Sequence, residues 1–443
     1  MGTSRNGCKA TAGLSKCTGQ SRKKMGRDTV PARRLISLVV LWLLTGALLT
    51  RVTAGEPDPE PTPRVFFQDQ PKGLGEHFTA WKFNYVGEVL GNLSGGIRQG
   101  AIYEGYVKIG LALNLEKLVG WENTVFYVNL LYPHGTSLTQ GYVGDLNTVS
   151  NIDTYDSLRI FKLFLQTNCF DDRLTLRLGI LAVDKDFFGS EGAGLFLNSG
   201  FGAFPVIGHD LVAPIYPVSA PGFRVTWQAT EGVFLRAAVF SGDVGTAASN
   251  RNGTQFDFSG KSGVGFFEEV DWKTRVVNDL PGVYKLGGFY NSKTFDNLRD
   301  TGTHRGNYGL YVIGDQQLWR EGTSESAAAQ GLAVFGRFAI APPDRSLVAY
   351  DTEAGVTYTG LFPGRGSDVL GAGFLYSRVS DDARTDAGAR LPSHHEAVIE
   401  VSYQASLTSV LTIQPDFQYI GNPGAVRPAR DAIVAGMRFG LAF

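Results

Sequence analysis

The sequence predicts an all-β protein: a transmembrane antiparallel β-barrel of about 16 strands, with short periplasmic turns and long extracellular loops. Three observations lead to this fold. An export signal opens the chain, short stretches of alternating apolar and polar residues fill the remainder, and the last stretch ends on Phe443. Only helices and closed barrels satisfy every backbone group in lipid, and no later apolar run reaches the roughly 18 residues of a spanning helix.

Residues 1–54 are predicted to be a signal peptide with an upstream extension. Arg33 and Arg34 precede the uncharged run 35–50, and the small residues of 52–54 follow it. This is the order of basic, apolar and cleavage-site regions in a secretory signal. Export combined with a barrel predicts the outer membrane of a Gram-negative bacterium.

The next predicted region is a periplasmic tail, residues 55–76, which opens with alternating prolines that cannot pair in a sheet. The third is the barrel, residues 77–443. Beyond residue 54 acidic residues outnumber basic ones, which argues against a nucleic-acid partner. Cys169 is the one cysteine in this part, so no internal disulfide and no cysteine metal site is expected.

Period-two alternation marks the strands. On one of them Leu174, Leu176 and Leu178 share a face, with Arg173 and Arg177 on the other. The candidate strands lie near 78–90, 102–113, 124–131, 158–167, 173–180, 223–228, 233–240, 263–272, 283–290, 307–316, 331–340, 347–359, 368–379, 395–404, 410–420 and 431–443.

The links between these strands alternate in length. The links 132–157 and 181–222 are long, whereas 168–172 and 229–232 are short. Bacterial barrels have long loops outside and short turns inside, and an even strand count returns the chain to the periplasm. A soluble β-sandwich is the competing fold, but it would not explain this asymmetry.

The polar face of each strand is predicted to line a water-filled lumen, because charge facing lipid costs roughly 2–4 kcal/mol. A wall of both signs near aromatic rings suits sugar hydroxyls, whereas a wall of one sign would suit an ion filter. Each charge could instead pair with a neighbour and hold the barrel's shape. The predicted substrate-binding wall residues are Lys82, Glu88, Glu104, Lys108, Arg173, Arg177, Arg224, Gln228, Glu396, Glu400, Asp416 and Arg438.

The link 181–222 is too long to be a simple connector. It carries Asp184, Asp186, Glu191 and Asn198, which are candidates for a constriction if the loop folds into the lumen. The alternative is a loop that covers the mouth of the barrel. The sequence leaves both arrangements open.

Several stretches resemble the carbohydrate-selective outer-membrane porin family (OprB type). The most specific begins Gln-Pro-Asp-Phe-Gln-Tyr at residue 414 and leads into an Asn-Pro-Gly turn. The resembling segments are 91–98, 196–202, 216–222, 396–403 and 414–424. The resemblance implies a diffusion channel of about sixteen strands for sugars, with arginine and glutamate at its constriction.

The favoured hypothesis is passive, selective diffusion of mono- or oligosaccharides such as glucose. A general porin for small hydrophilic solutes is the alternative, and an outer-membrane enzyme or adhesin is the third. No Gly-x-Ser-x-Gly or His-Glu-x-x-His motif occurs, so no catalytic residue, metal or cofactor is expected.

The expected partners follow from the same hypothesis. They are carbohydrates, outer-membrane lipid and lipopolysaccharide, and the barrel-assembly machinery, which would recognise the terminal strand ending at Phe443. Whether the barrel is a monomer or a trimer stays open, because lipid-facing and subunit-facing apolar surfaces look alike.

Overall fold

The computed structural model describes residues 79–443, except residue 185 and the stretches 257–261, 323–329, 385–387 and 426–428. The predicted signal peptide, 1–54, and the predicted periplasmic tail, 55–76, lie outside the described residues. Over the described part of the chain, we find no helix with the length and apolar character needed to cross a membrane.

Sixteen antiparallel strands follow one another around a closed barrel, and the last strand pairs with the first. The prediction of a sixteen-stranded antiparallel barrel is therefore confirmed. The strands are β1 Thr79–Gly96, β2 Gly100–Asn114, β3 Thr124–Gly135, β4 Arg159–Cys169, β5 Leu174–Leu181, β6 Ala220–Thr230, β7 Val233–Ser241, β8 Val264–Val277, β9 Leu280–Asp296, β10 Thr303–Arg320, β11 Gly331–Ile340, β12 Val348–Thr359, β13 Val369–Val379, β14 His395–Ser406, β15 Leu411–Gly421 and β16 Arg430–Ala442.

The alternation of side chains gives the barrel its two faces. On β5, Leu178 is 60% exposed on the outside, while Arg177 is 4% exposed on the inside. The same alternation places Met437 outside and Arg438 inside on β16. Because charge is costly against lipid, the apolar face is the bilayer face.

Outward-facing aromatic rings cluster near both ends of the barrel. Trp319 and Tyr358 lie 6.0 Å apart, between ring centroids, at the periplasmic ends of β10 and β12. Tyr350 and Tyr376 lie 6.2 Å apart toward the opposite end. Two such belts mark the two interfaces of a bilayer, where amphipathic rings are favoured.

The links between strands differ in length at the two ends, as the sequence predicts. The links 170–173 and 231–232 are short turns, whereas 136–158 and 182–219 are long loops. The extracellular links 97–99, 297–302 and 341–347 are exceptions, because they are shorter than the periplasmic links 115–123, 321–330 and 360–368. The first is short because β1 continues to Gly96 instead of ending near residue 90. Two irregularities in its pairing with β16, and a positive φ of 73° at Gly95, carry β1 through this glycine-rich stretch.

The helices are short. Helix α1 is Leu115–Val119 in a periplasmic link, and α2, Ser199–Gly202, and α3, Pro205–Asp210, lie in the loop 182–219. The Asn114 side chain accepts the N–H of Lys117 and so caps α1. Shorter turns are the π-helical turn Thr139–Val143 and the 3-10 turns Ala193–Leu195 and Pro423–Ala425.

Candidate functional site

The inner face of the barrel holds most of the predicted wall residues. Eleven of the twelve occupy inward-facing positions of the strands, namely Lys82, Glu88, Glu104, Lys108, Arg177, Arg224, Gln228, Glu396, Glu400, Asp416 and Arg438. The placement of Arg173 needs correction. It is exposed in the periplasmic turn before β5, beside the outward-facing Leu174 and Trp227, because the strand begins one residue later.

Cations gather on one side of the wall instead of mixing evenly with acids. The strands β4 to β7, all of whose residues are described, contain no aspartate or glutamate. Their inward-facing cations are Arg159, Lys162, Arg177, Arg224 and Arg236. We call these five side chains the basic wall. Sequence analysis did not identify Arg159, Lys162 and Arg236. The alternation of apolar and polar residues along their predicted strands could have identified them.

Asp186, from the loop after β5, enters the basic wall. Its Oδ2 lies 3.2 Å from Arg177 Nη1, and its Oδ1 contacts Arg224 Nη1. Arg177 also donates from Nη2 to Gln166 Oε1 at 2.7 Å and lies 4.2 Å from the Phe164 ring centroid. One carboxylate therefore serves two buried guanidinium groups at the point where the loop begins.

Several donors of the basic wall have no acceptor. Arg159 is 1% exposed, and its Nε and Nη2 find no hydrogen-bond partner among the described residues; its Nη1 donates to Tyr155. Arg224 Nε likewise has no partner there. Buried donors without acceptors are costly, at about 1–3 kcal/mol each. These atoms are fully buried, so they do not contact a solute in the lumen.

The acidic side chains of β8, β10 and β12 hold the loop 182–219 by its backbone. Glu269 accepts the N–H of Phe188 at 2.7 Å, Asp315 accepts that of Gly192 at 3.0 Å, and Asp351 accepts that of Val206 at 2.8 Å. All three carboxylates face inward. The long loop thus lies inside the barrel instead of covering its mouth.

Glu400 continues this pattern on β14. It accepts the N–H of Asn198 at 3.0 Å and also that of Leu197. The Asn198 side chain in turn donates to the backbone oxygen of Asn147 at 2.9 Å and to Gln418 at 3.2 Å. Asn198, predicted as a constriction residue, is fully buried and joins two loops to the wall.

The loop 136–158, which connects β3 and β4, is held by side chains of β14 and β16. Glu396 accepts the N–H groups of Leu146 at 2.6 Å and Asn147 at 2.7 Å. Arg438 forms an ion pair with Glu88 and donates to Asn151 at 2.7 Å. These charged residues therefore bind protein groups and fix the loops in place.

The remaining loop candidates occupy different environments. Asp184 is partly buried, and its Oδ1 has no hydrogen-bond partner among the described residues, whereas Glu191 is exposed. Arg337 on β11 is a loop-binding residue that sequence analysis missed. Its Nη1 donates to the backbone oxygen of Phe201 at 2.5 Å, and its guanidinium lies 4.2 Å from the Phe204 ring centroid.

The inner face is apolar where the loop packs on it. Phe187 of the loop lies 5.7 Å from Phe267 on β8, and Phe201 lies 6.2 Å from Phe335 on β11, measured between ring centroids. The expectation of a polar inner face thus holds for the basic wall but not under the loop. Burial of these rings adds a hydrophobic contribution to the carboxylate–amide contacts.

Asp210, at the end of α3, attaches the loop at one further point. Its carboxylate accepts the N–H groups of Leu347 and Val348, at the start of β12. Burial raises the pKa of Asp210 to about 7, although the two N–H groups act in the opposite direction.

The described residues contain no group of three or more histidine, cysteine or acidic side chains placed to hold a metal ion. His394 and His395, adjacent in the sequence, contact Asp381 and Asn422 respectively.

A closed barrel with an apolar, aromatic-bounded exterior and a charged interior narrowed by an inward loop defines an outer-membrane porin. Residues 98–443 match the family model described as "Carbohydrate-selective porin, OprB family". The chain belongs to this family, whose members are channels and not enzymes. The resemblance inferred from the sequence and the outer-membrane location are thereby confirmed.

Known relatives agree with this assignment. The chain is 26% identical to "Porin B" of Pseudomonas aeruginosa over 406 residues, which cover 82% of this chain and 87% of the relative. It is similar to Pseudomonas putida OprB in its high-pH structure, with a TM-score of 0.75 at 25% identity over 82% of this chain and 94% of that one. The low-pH structure of the same protein gives a TM-score of 0.55 at 20% identity, over 82% and 92%.

Proposed function

We propose that this porin is a passive channel through which small neutral sugars, mono- or oligosaccharides such as glucose, cross the outer membrane into the periplasm. The observation that carries the proposal is the basic wall, five inward-facing cations on four adjacent strands that contain no acidic residue. Sugar hydroxyl oxygens are suitable acceptors for guanidinium N–H groups.

The two sides of the wall would have different roles. Arg177, Arg224 and Gln228 would contact the passing sugar, together with Lys82, Glu104 and Lys108 on β1 and β2. The carboxylates of Glu396 and Glu400 are occupied by backbone N–H groups, so these two residues would shape the channel instead of contacting the sugar.

Transport requires weak binding. A solute must bind well enough to enter the channel and weakly enough to leave it. Single guanidinium–hydroxyl hydrogen bonds contribute about 1.5–3 kcal/mol each. This is less than the free energy involved in a buried ion pair, so a sugar held by such bonds can still leave the channel. No energy coupling is needed for a solute that moves down its concentration gradient.

Planar-bilayer recording of the refolded protein tests the proposal. We expect glucose and a short oligosaccharide to block the single-channel current saturably, and Arg177→Ala and Arg224→Ala to weaken the block. Arg299→Ala is the matched control, because Arg299 pairs with Asp382 in exposed loops. A current reduced only in proportion to solution viscosity, with no saturation, would instead favour a general porin for small hydrophilic solutes.

A further inference from the structure

A hollow on the outer surface of the barrel lies at the periplasmic ends of β5 and β6. Its volume is about 290 Å³, and it is lined by Phe170, Arg173, Leu174 and Trp227. Leu174 and Trp227 are paired across the two strands and face outward. The hollow therefore opens toward the bilayer and not toward the lumen.

The four lining residues are ordered along the membrane normal. Phe170 and Arg173 lie in the periplasmic turn, whereas Leu174 and Trp227 lie on the strands and so deeper in the bilayer. The polar end of the hollow is thus at headgroup level and its apolar end at the level of the acyl chains. A lipid of the periplasmic leaflet has the same polarity.

The turn presents its side chains in an unusual way. Phe170, Asp171 and Asp172 all have positive φ angles, of 55°, 52° and 64°. This conformation is uncommon for residues other than glycine, and least expected for a bulky ring. It leaves Phe170 76% exposed at the rim of the hollow, where a soluble surface would gain nothing from an aromatic ring.

The charged side chains of the same turn make few contacts with the rest of the protein. Among the described residues, the Arg173 guanidinium has no ion-pair or hydrogen-bond partner. Asp171 is exposed beside it, while Asp172 accepts a hydrogen bond from Asn168 at 3.0 Å. By contrast Arg275, near another periplasmic turn, donates to the backbone oxygen of Asp279.

We propose that this hollow binds one glycerophospholipid of the periplasmic leaflet with a zwitterionic, primary-ammonium headgroup, the phosphatidylethanolamine type. Its phosphate binds Arg173 and its ammonium binds Asp171, while an acyl chain lies against Leu174 and Trp227 and Phe170 packs at the rim. An anionic headgroup would satisfy Arg173 but would be repelled by Asp171 and Asp172. A quaternary ammonium headgroup has no N–H to donate to the carboxylate.

Native mass spectrometry of the folded barrel tests this site. Detergent micelles are doped in turn with palmitoyl-oleoyl phosphatidylethanolamine, phosphatidylglycerol or phosphatidylcholine, and the bound lipid is counted. We expect phosphatidylethanolamine to bind best. Arg173→Gln should reduce its binding about fivefold, the ratio that corresponds to the upper range for an exposed ion pair. Arg275→Gln is the matched control and should leave binding unchanged.

Two further variants separate the headgroup from the chain. Asp171→Asn should remove the preference for phosphatidylethanolamine over phosphatidylglycerol, while Trp227→Ala should weaken all three lipids. Trp272→Ala, which removes another outward tryptophan that contacts Tyr284, is its control. Each variant is first shown to be folded by heat-modifiable migration on gels. Equal binding by the native protein and Arg173→Gln, or equal binding of phosphatidylglycerol and phosphatidylethanolamine by the native protein, would overturn the proposal.

Discussion

Asp186 lies within 3.2 Å of Arg177, so the loop that enters the barrel is tied to the strand it has just left. Arg224 on the next strand contacts the other oxygen of the same carboxylate. All three side chains are buried. Breaking a buried ion pair by removing one partner typically costs about 3–5 kcal/mol, because the other charge is left without compensation.

Replacing this carboxylate should change ion selectivity. Asp186→Asn keeps the size of the side chain but leaves Arg177 and Arg224 uncompensated. A unit charge about 10 Å away, across partly screened space, changes the energy of an ion in the channel by ~1 kcal/mol. This corresponds to about a fivefold change in the ion's occupancy. We expect the zero-current potential in a potassium chloride gradient to shift toward anion preference. Asp381→Asn, in an exposed loop, is the control, and an equal shift in both variants would contradict the assignment.

The loop attachment at Glu400 should be separable from the integrity of the barrel. Glu400→Ala removes the acceptor of the Leu197 and Asn198 N–H groups. Each buried donor left without a partner costs about 1–3 kcal/mol. We expect faster proteolysis within 182–219 and noisier single-channel current from a barrel that is still folded. Glu231→Ala, in an exposed periplasmic turn, should match the native protein in both measurements.

The two faces of β5 should respond differently to substitution. Leu176→Arg places a charge against lipid, which costs roughly 2–4 kcal/mol at mid-bilayer, so folding into vesicles should fail or slow markedly. Arg177→Ala should leave the barrel folded and alter its conductance. Heat-modifiable gel migration reports folding in both cases. If the Arg177→Ala variant is unfolded and the Leu176→Arg variant is fully folded, the assignment of the two faces of β5 is wrong.

Asp210 should make the stability of the loop depend on pH. Its pKa is about 7 in the folded protein against an ordinary value of 3.8, so the folded state binds the proton more tightly. The resulting stabilisation is fully present below pH 3.8 and is lost as the pH rises through about 7. Asp210→Asn, which is neutral at every pH, should flatten this dependence. The check is thermal unfolding in detergent at pH 5 and pH 8, and parallel curves for both proteins would contradict it.

The strands could be predicted because each one carries its own signal. Alternation along 173–180 fixes a lipid face within a single stretch of sequence, and the structure places β5 at Leu174–Leu181. The extension of β1 to Gly96 was missed, since glycine and serine there lack a periodic pattern and pairing with β16 decides the outcome.

The course of the loops could not be predicted in the same way. The contacts that decide it join residues far apart in sequence, such as Glu400 with Asn198 and Glu396 with Asn147. Nothing local distinguishes a glutamate that binds a backbone N–H from one that faces water. The sorting of cations onto β4 to β7 was visible in the sequence, but only once the strand order around the barrel is known.

The way the wall holds the loop 182–219 has a consequence for how such channels diverge. The loop is held through main-chain N–H groups, which donate to Glu269, Asp351 and Glu400. Every residue except proline provides such a group. These contacts therefore do not constrain the side chains of the loop residues that donate the N–H groups. New specificities can arise by exchanging amino acids in the loop 182–219 while the barrel that holds it stays unaltered.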